Sequence, residues 1–67
     1  MQRYFINQVV QSVGEKISVL KDQEHHMVKL MRMNIEESCE VVDEKEQLYI
    51  AKITQLSPLE LTIEEYK

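Results

Sequence analysis

The sequence predicts a mainly β domain of the β-rich α+β class: a small β-barrel of about five strands with one helix. Three observations carry this expectation. Short stretches in which apolar and polar residues alternate recur along the chain. The period changes once, between Asp22 and Arg32, to one that suits a helix. The length of 67 residues leaves room for one domain, residues 1–67, with a modest core. A domain of this size buries roughly 60% of the surface that its unfolded chain exposes. Nearly every apolar side chain is then needed for packing, which leaves little space for an enclosed active site, so the chain alone is expected not to be an enzyme.

The elements run in order from the N-terminus. Arg3-Tyr4-Phe5-Ile6 combines aromatic and β-branched residues and predicts a first strand. Asn7 to Glu15 predicts a loop or a short turn of helix, because Gly14 interrupts the helix-like spacing of Val9, Val10 and Val13. Lys16 to Leu20 alternates and predicts a half-buried second strand. Asp22 is placed as an N-cap and Glu24 sits in the first turn, where negative charge suits the helix dipole. Met27, Leu30 and Met31 come next at i, i+3 and i+4, so a helix is expected over Gln23 to Arg32 with that stripe packed on the barrel. After Asn34 the alternation returns. Cys39 and Val41 share one face of a third strand, with Glu40 and Val42 on the other. Asp43-Glu44-Lys45-Glu46 suits a hairpin loop, and Leu48 to Ile53 is apolar on both sides for part of its length, which predicts a central fourth strand. Ser57-Pro58 turns the chain, and Leu59, Leu61 and Ile63 then alternate with Glu60, Thr62 and Glu64 in a fifth strand with one wet face.

Composition narrows the function classes. The 43% hydrophobic and 30% charged content is that of an ordinary folded domain. The longest uncharged run, Tyr4 to Gly14, falls far short of the ~20 apolar residues of a membrane span. No signal-peptide pattern opens the chain, and the single cysteine, Cys39, excludes an internal disulfide and suits a reducing, cytoplasmic setting. Cys39 is expected to pack in the core. The net charge of −4 is unevenly spread. Through Met33, five basic residues (Arg3, Lys16, Lys21, Lys29, Arg32) face Glu15, Asp22 and Glu24; from Asn34 onward, three lysines face nine acids. A phosphate-binding face, if present, belongs to the N-terminal half.

Catalytic and metal chemistry finds no support. His25 and His26 are adjacent, hence about 100° apart on a helix, and no further Cys or His stands at zinc spacing. Gly14 is the only glycine, which excludes glycine-rich phosphate loops, and no serine sits in an elbow motif. The two histidines read either as one packed and one exposed helix residue or as contacts to a polar or anionic partner. Met27, Met31 and Met33 read as core packing, with an adaptable interaction surface as the alternative.

Two motifs together point to a family. Met1-Gln2-Arg3-Tyr4-Phe5-Ile6 at the start and His25-His26-Met27-Val28-Lys29-Leu30-Met31-Arg32-Met33 further on resemble the N-terminal domain of the RsmE family, and the Tyr49-Ile50-Ala51-Lys52-Ile53 strand fits as well. These are bacterial methyltransferases that methylate N3 of a uridine in small-subunit (16S) ribosomal RNA. The resemblance implies a PUA-like β-barrel that binds ribosomal RNA. It implies that S-adenosylmethionine (SAM) belongs to a knotted α/β domain, absent from this chain, which in the family makes the homodimer and performs the transfer. This chain itself is expected to hold no cofactor, no metal and no membrane. By the same match Arg3, His25, His26 and Arg32 are the RNA-facing candidates; Lys29 is added from its charge and helix position. The sequence departs from the family in two places. Glu36-Glu37 replaces a Gly-Asp turn after the helix, and Lys21-Asp22 stands where the family has a glycine ahead of it. The expected function is to position ribosomal RNA of the small subunit for the catalytic domain. The alternative is a small acidic protein-interaction or scaffold domain with no RNA role.

Overall fold

The computed structural model describes residues 2–67; Met1, the first residue of the opening motif, lies outside them. Five strands and one short helix are arranged in the order β1 (Arg3–Phe5), β2 (Lys16–Ile17), α1 (Lys21–His25), β3 (Ser38–Val42), β4 (Leu48–Leu56) and β5 (Leu59–Tyr66). They form one sheet in the order β1-β3-β4-β5-β2. β1 runs parallel to β3, and every other pairing is antiparallel. The fold is therefore the small β-rich domain with one helix that the sequence predicts.

β4 lies in the middle of the sheet, as its two-sided apolar pattern requires. Register shifts between Ile50 and Ala51 and between Ile53 and Gln55 bend it against β5. The alternation of β5 is faithful: Leu59, Leu61 and Ile63 are buried, and Glu64 is exposed. Cys39 and Val41 of β3 are completely buried with Ala51 and Ile53 of β4, and Tyr4, Ile17 and Met27 complete the same core.

The sheet ends at β1 on one side and β2 on the other, and among the described residues no ladder joins them. The helix makes the join instead. The Gln23 amide accepts a hydrogen bond from the Phe5 N–H at 2.7 Å and donates one to the Phe5 carbonyl at 2.6 Å. One side chain thus occupies the place of a neighbouring strand's peptide group on the open edge of β1, which protects that edge from pairing with another chain.

The segment between β1 and β2 is a loop, not a turn of helix. Glu15 folds it by accepting from the Gln11 N–H (2.6 Å), the Ser12 N–H (3.3 Å) and the Gln8 amide (3.1 Å). Gly14, at φ +93°, supplies the reversal. With one glycine in the chain, three other left-handed positions fall to side-chain-bearing residues: Arg32 (φ 52°), Glu36 (φ 80°) and Glu46 (φ 62°). The Ser57–Pro58 peptide between β4 and β5 is cis.

Several boundaries differ from the sequence expectation. β2 stops at Ile17 instead of Leu20, although Val19 still packs on the core. The helix begins at Lys21 with Leu20 in the cap position, so Asp22 lies inside the first turn and its carboxylate accepts only from the Gln23 N–H, at 2.9 Å. After His25 the chain widens into a π-helical turn, His26–Leu30. The Met31 N–H donates to the His26 carbonyl at 2.9 Å, and the Met33 N–H to that of Met27 at the same distance. The wider turn takes up an extra residue, so that by its end, at Leu30 and Met31, the side chains have fallen out of phase with a regular helix by about 100°. Leu30 and Met31, expected to pack with Met27, are consequently exposed (66% and 41%), and Val28 and Met33 take the inward places.

Candidate nucleic-acid interface

The helix and the π turn that continues it present two neighbouring rows to one cleft. Lys21, His25 and Lys29 recur at four-residue intervals, and Glu24 and Val28 form the row beside them. Leu56 and Ser57, from the end of β4 and the turn after it, supply the facing wall. The cleft has a volume of about 520 Å³ and lies open to solvent. Val28 and Leu56 are half-buried and rest on the core, giving the cleft an apolar floor beneath a mainly cationic rim. Among the described residues, none of Lys21, Glu24, His25 and Lys29 is engaged in an ion pair. Their charged and polar heads are available to a ligand.

The candidate residues thus separate into groups. His25 and Lys29 come together in the cleft, and Lys21 joins them. The spacing of Lys21 four residues ahead of His25 was visible in the sequence; that Leu56 and Ser57 face this row was not, because it depends on long-range pairing of β4 and β5. His26 turns the other way. Its Nδ1 lies 3.1 Å from the Tyr4 hydroxyl and its ring meets the Tyr4 ring edge-on, so it ties the helix to β1. Arg3 projects from β1 and its Nε donates to Glu40 Oε1 at 3.1 Å; Lys67 reaches the other oxygen of the same carboxylate at 2.7 Å. Arg32 is exposed just beyond the π turn, at its left-handed φ.

The methionines do not form a surface patch. Met27 and Met33 are core residues (0% and 7% exposed), and Met31 alone of the three is exposed. Cys39 is buried, and burial together with the neighbouring Glu40 carboxylate pushes its thiol up to about 11, which makes it unreactive at neutral pH. No helix among the described residues is long and apolar enough to cross a membrane.

Comparison with known proteins agrees with this architecture. Among solved structures, one described as a hypothetical protein superposes with a TM-score of 0.82 over 98% of this chain at 21% identity. Another, from Legionella pneumophila and described as a methyltransferase with the cofactor SAM bound, gives a TM-score of 0.75 over 97% of the chain at 15% identity. The chain spans 29% and 28% of the length of those two proteins. No curated protein sequence matches it. The family described as RNA methyltransferase PUA domain matches residues 19–66, from the residue before the helix cap to the end of β5. The chain belongs to the RNA methyltransferase PUA domain family.

Proposed function

We propose that this domain binds RNA and positions ribosomal RNA of the small subunit for a SAM-dependent uridine-N3 methyltransferase domain of a cytoplasmic, homodimeric parent protein. The observation that carries this reading is the family match over residues 19–66, which includes every residue lining the cleft. The chemistry of the cleft supports it. Lys21 and Lys29 offer ammonium donors to phosphate oxygens, and the His25 imidazole can donate to a phosphate or stack on a base. Arg32 adds an exposed cation beyond the π turn, Arg3 is engaged by Glu40, and His26 helps to fix the helix on which the cleft is built. SAM is held and the methyl group transferred by the catalytic domain; the part played by this chain is to hold the RNA in place.

The test is the salt dependence of binding to a small-subunit ribosomal RNA fragment. Affinity should fall on a log–log plot with a slope of about −0.7 for each phosphate neutralised. Lys29→Glu combined with Arg32→Glu should weaken binding and flatten that slope. Affinity indifferent to salt and to this double reversal overturns the reading. A protein-interaction domain would show no RNA-dependent chemical-shift changes at His25 or Lys29.

A further inference from the structure

Glu24 is out of place in a site for phosphate alone. It lines the cleft beside Lys21, His25 and Lys29, and is not ion-paired with any of them. A free carboxylate repels a phosphate, so a cleft that served only the backbone of a nucleic acid would be better without it. Ionised, it can only accept hydrogen bonds, so a ligand that displaces water from it must bring donors of its own.

We infer that the cleft takes one unstacked nucleotide of single-stranded RNA and that Glu24 selects guanine. The inference rests on the RNA-binding reading and adds which base this site prefers. The base face lies on the half-buried Val28 and Leu56, the apolar floor. Lys21 and Lys29, on either side of Glu24 along the helix, take the flanking phosphates, and His25 and Ser57 stand at the rim for the sugar or base. The volume of about 520 Å³ is in the range of small-ligand sites, room for one nucleotide.

Donor geometry selects guanine. Its Watson–Crick edge sets N1–H and N2–H side by side, matching the two oxygens of a carboxylate in a bidentate pair. Adenine and cytosine each present one amino group next to an acceptor nitrogen. Uracil presents a single N3–H between two carbonyl oxygens, both repelled by a carboxylate. The base read in this cleft is therefore not a uridine. A uridine presented for methylation lies elsewhere along the same RNA, at a distance fixed by the strand held here.

The experiment uses the 67-residue domain and four RNA pentamers, U-U-X-U-U with X as G, A, C or U, at fixed low salt, monitored by chemical shifts of the Val28 methyl groups. The G pentamer is expected to bind about tenfold more tightly than the other three, the discrimination of one bidentate base contact. Glu24→Gln, a change at a half-buried helix position that keeps shape and removes the charge, should bring all four within about twofold. Glu64→Gln, on the wet face of β5, serves as the control and should leave the preference intact. If all four pentamers bind equally to the unaltered domain, the guanine inference fails while the RNA reading stands. A preference for U, or a G preference that survives Glu24→Gln, overturns it equally. If no pentamer and no longer ribosomal fragment binds, the RNA reading itself fails.

Discussion

The Tyr4 hydroxyl lies 3.1 Å from Nδ1 of His26 and 3.9 Å from the sulfur of Met33. This contact joins the opening strand to the helix and so links the two motifs that the sequence sets apart. The hydroxyl and Nδ1 share one hydrogen bond whose donor is set by the His26 tautomer, and the hydroxyl also points at the Met33 sulfur. Burial, with a smaller contribution from Cys39, raises the Tyr4 pKa and holds the phenol protonated. Tyr4→Phe keeps the ring and removes this hydrogen bond. Its expected effect is a loss of about 1 kcal/mol in urea denaturation, with a change in the His26 imidazole nitrogen shifts as the ring loses this partner. Unchanged nitrogen shifts would refute the role assigned to Tyr4.

Asp43 is a second buried knot, just past the end of β3. Its residue is 4% exposed, and its carboxylate accepts from the backbone N–H groups of Val10 (3.1 Å), Lys45 (2.9 Å) and Gln47 (3.0 Å). One side chain thereby closes the β3–β4 hairpin and anchors the loop ahead of β2. Asp43→Ala leaves three backbone donors without that partner, one of them buried, and should destabilise the domain by about 3 kcal/mol or more. A loss below about 1 kcal/mol would mean that water replaces the carboxylate freely.

The strands were legible because alternation and burial coincide: Cys39 and Val41 on β3, and Leu59, Leu61 and Ile63 on β5, each point into the core as their spacing requires. The helix was legible as an element but not in phase. An i, i+3, i+4 stripe presumes a regular helix, and the π turn after His25 carries Leu30 and Met31 out to solvent. For the candidate site, His25 and Lys29 line the cleft, whereas Arg3 is in an ion pair that local sequence does not reveal. Glu40 was the hidden partner. An acid on the outward face of a strand looks solvated until the parallel pairing of β1 with β3 brings Arg3 opposite it.

Glu36 shows where the departure from the family turn bears on structure. At φ 80° it occupies a left-handed position, its N–H donating to the Ile53 carbonyl at 2.8 Å. Glu37 does the rest, accepting from the Asn34 N–H at 2.8 Å through its side chain. A left-handed residue with a Cβ costs roughly 1–2 kcal/mol, partly offset in glycine by its greater unfolded-state freedom. The exposed pair of Glu36 with Lys52, at 3.4 Å, adds little. Glu36→Gly should therefore raise stability by about 0.5–1 kcal/mol, read as a higher urea midpoint at unchanged slope. A lower midpoint would show that the turn does not strain the residue.

Glu40 gives a pH dependence with a definite sign. The hydrogen bond from Lys67, then that from Arg3, hold its carboxyl below the usual carboxylate range. Because its folded pKa is depressed, the stabilisation it gives is present above the unfolded value of about 4.3 and is lost as pH falls through the folded value. Asp43 acts in the same sense: burial raises its pKa, but the hydrogen bonds from Gln47, Val10 and Lys45 outweigh this and leave it lowered. Urea midpoints should be flat near neutrality and decline as pH drops below about 5. Glu40→Gln should lower the neutral midpoint and make the acid decline shallower, so that the two proteins converge at low pH. Parallel curves for the two proteins would show that Glu40 does not contribute to the acid decline.

Cys39 provides a probe of the core that needs no substitution. It is fully buried between Val41 and the β4 residue Ala51 opposite it, and its thiol is pushed up to about 11, chiefly by burial and then by the Glu40 charge. Alkylation requires thiolate and access together, and the folded state denies both. Modification at pH 8 should therefore proceed only through opening of the sheet, at a rate set by the fraction of open molecules. Labelling should be slow in the native protein and rapid in urea, where the thiol returns to about 8.5. Asp43→Ala should speed native labelling in proportion to its loss of stability, whereas Glu36→Gly should slow it. Rapid labelling of the native protein, insensitive to both substitutions, would show that the β3–β4 core opens locally at Cys39 without unfolding of the rest.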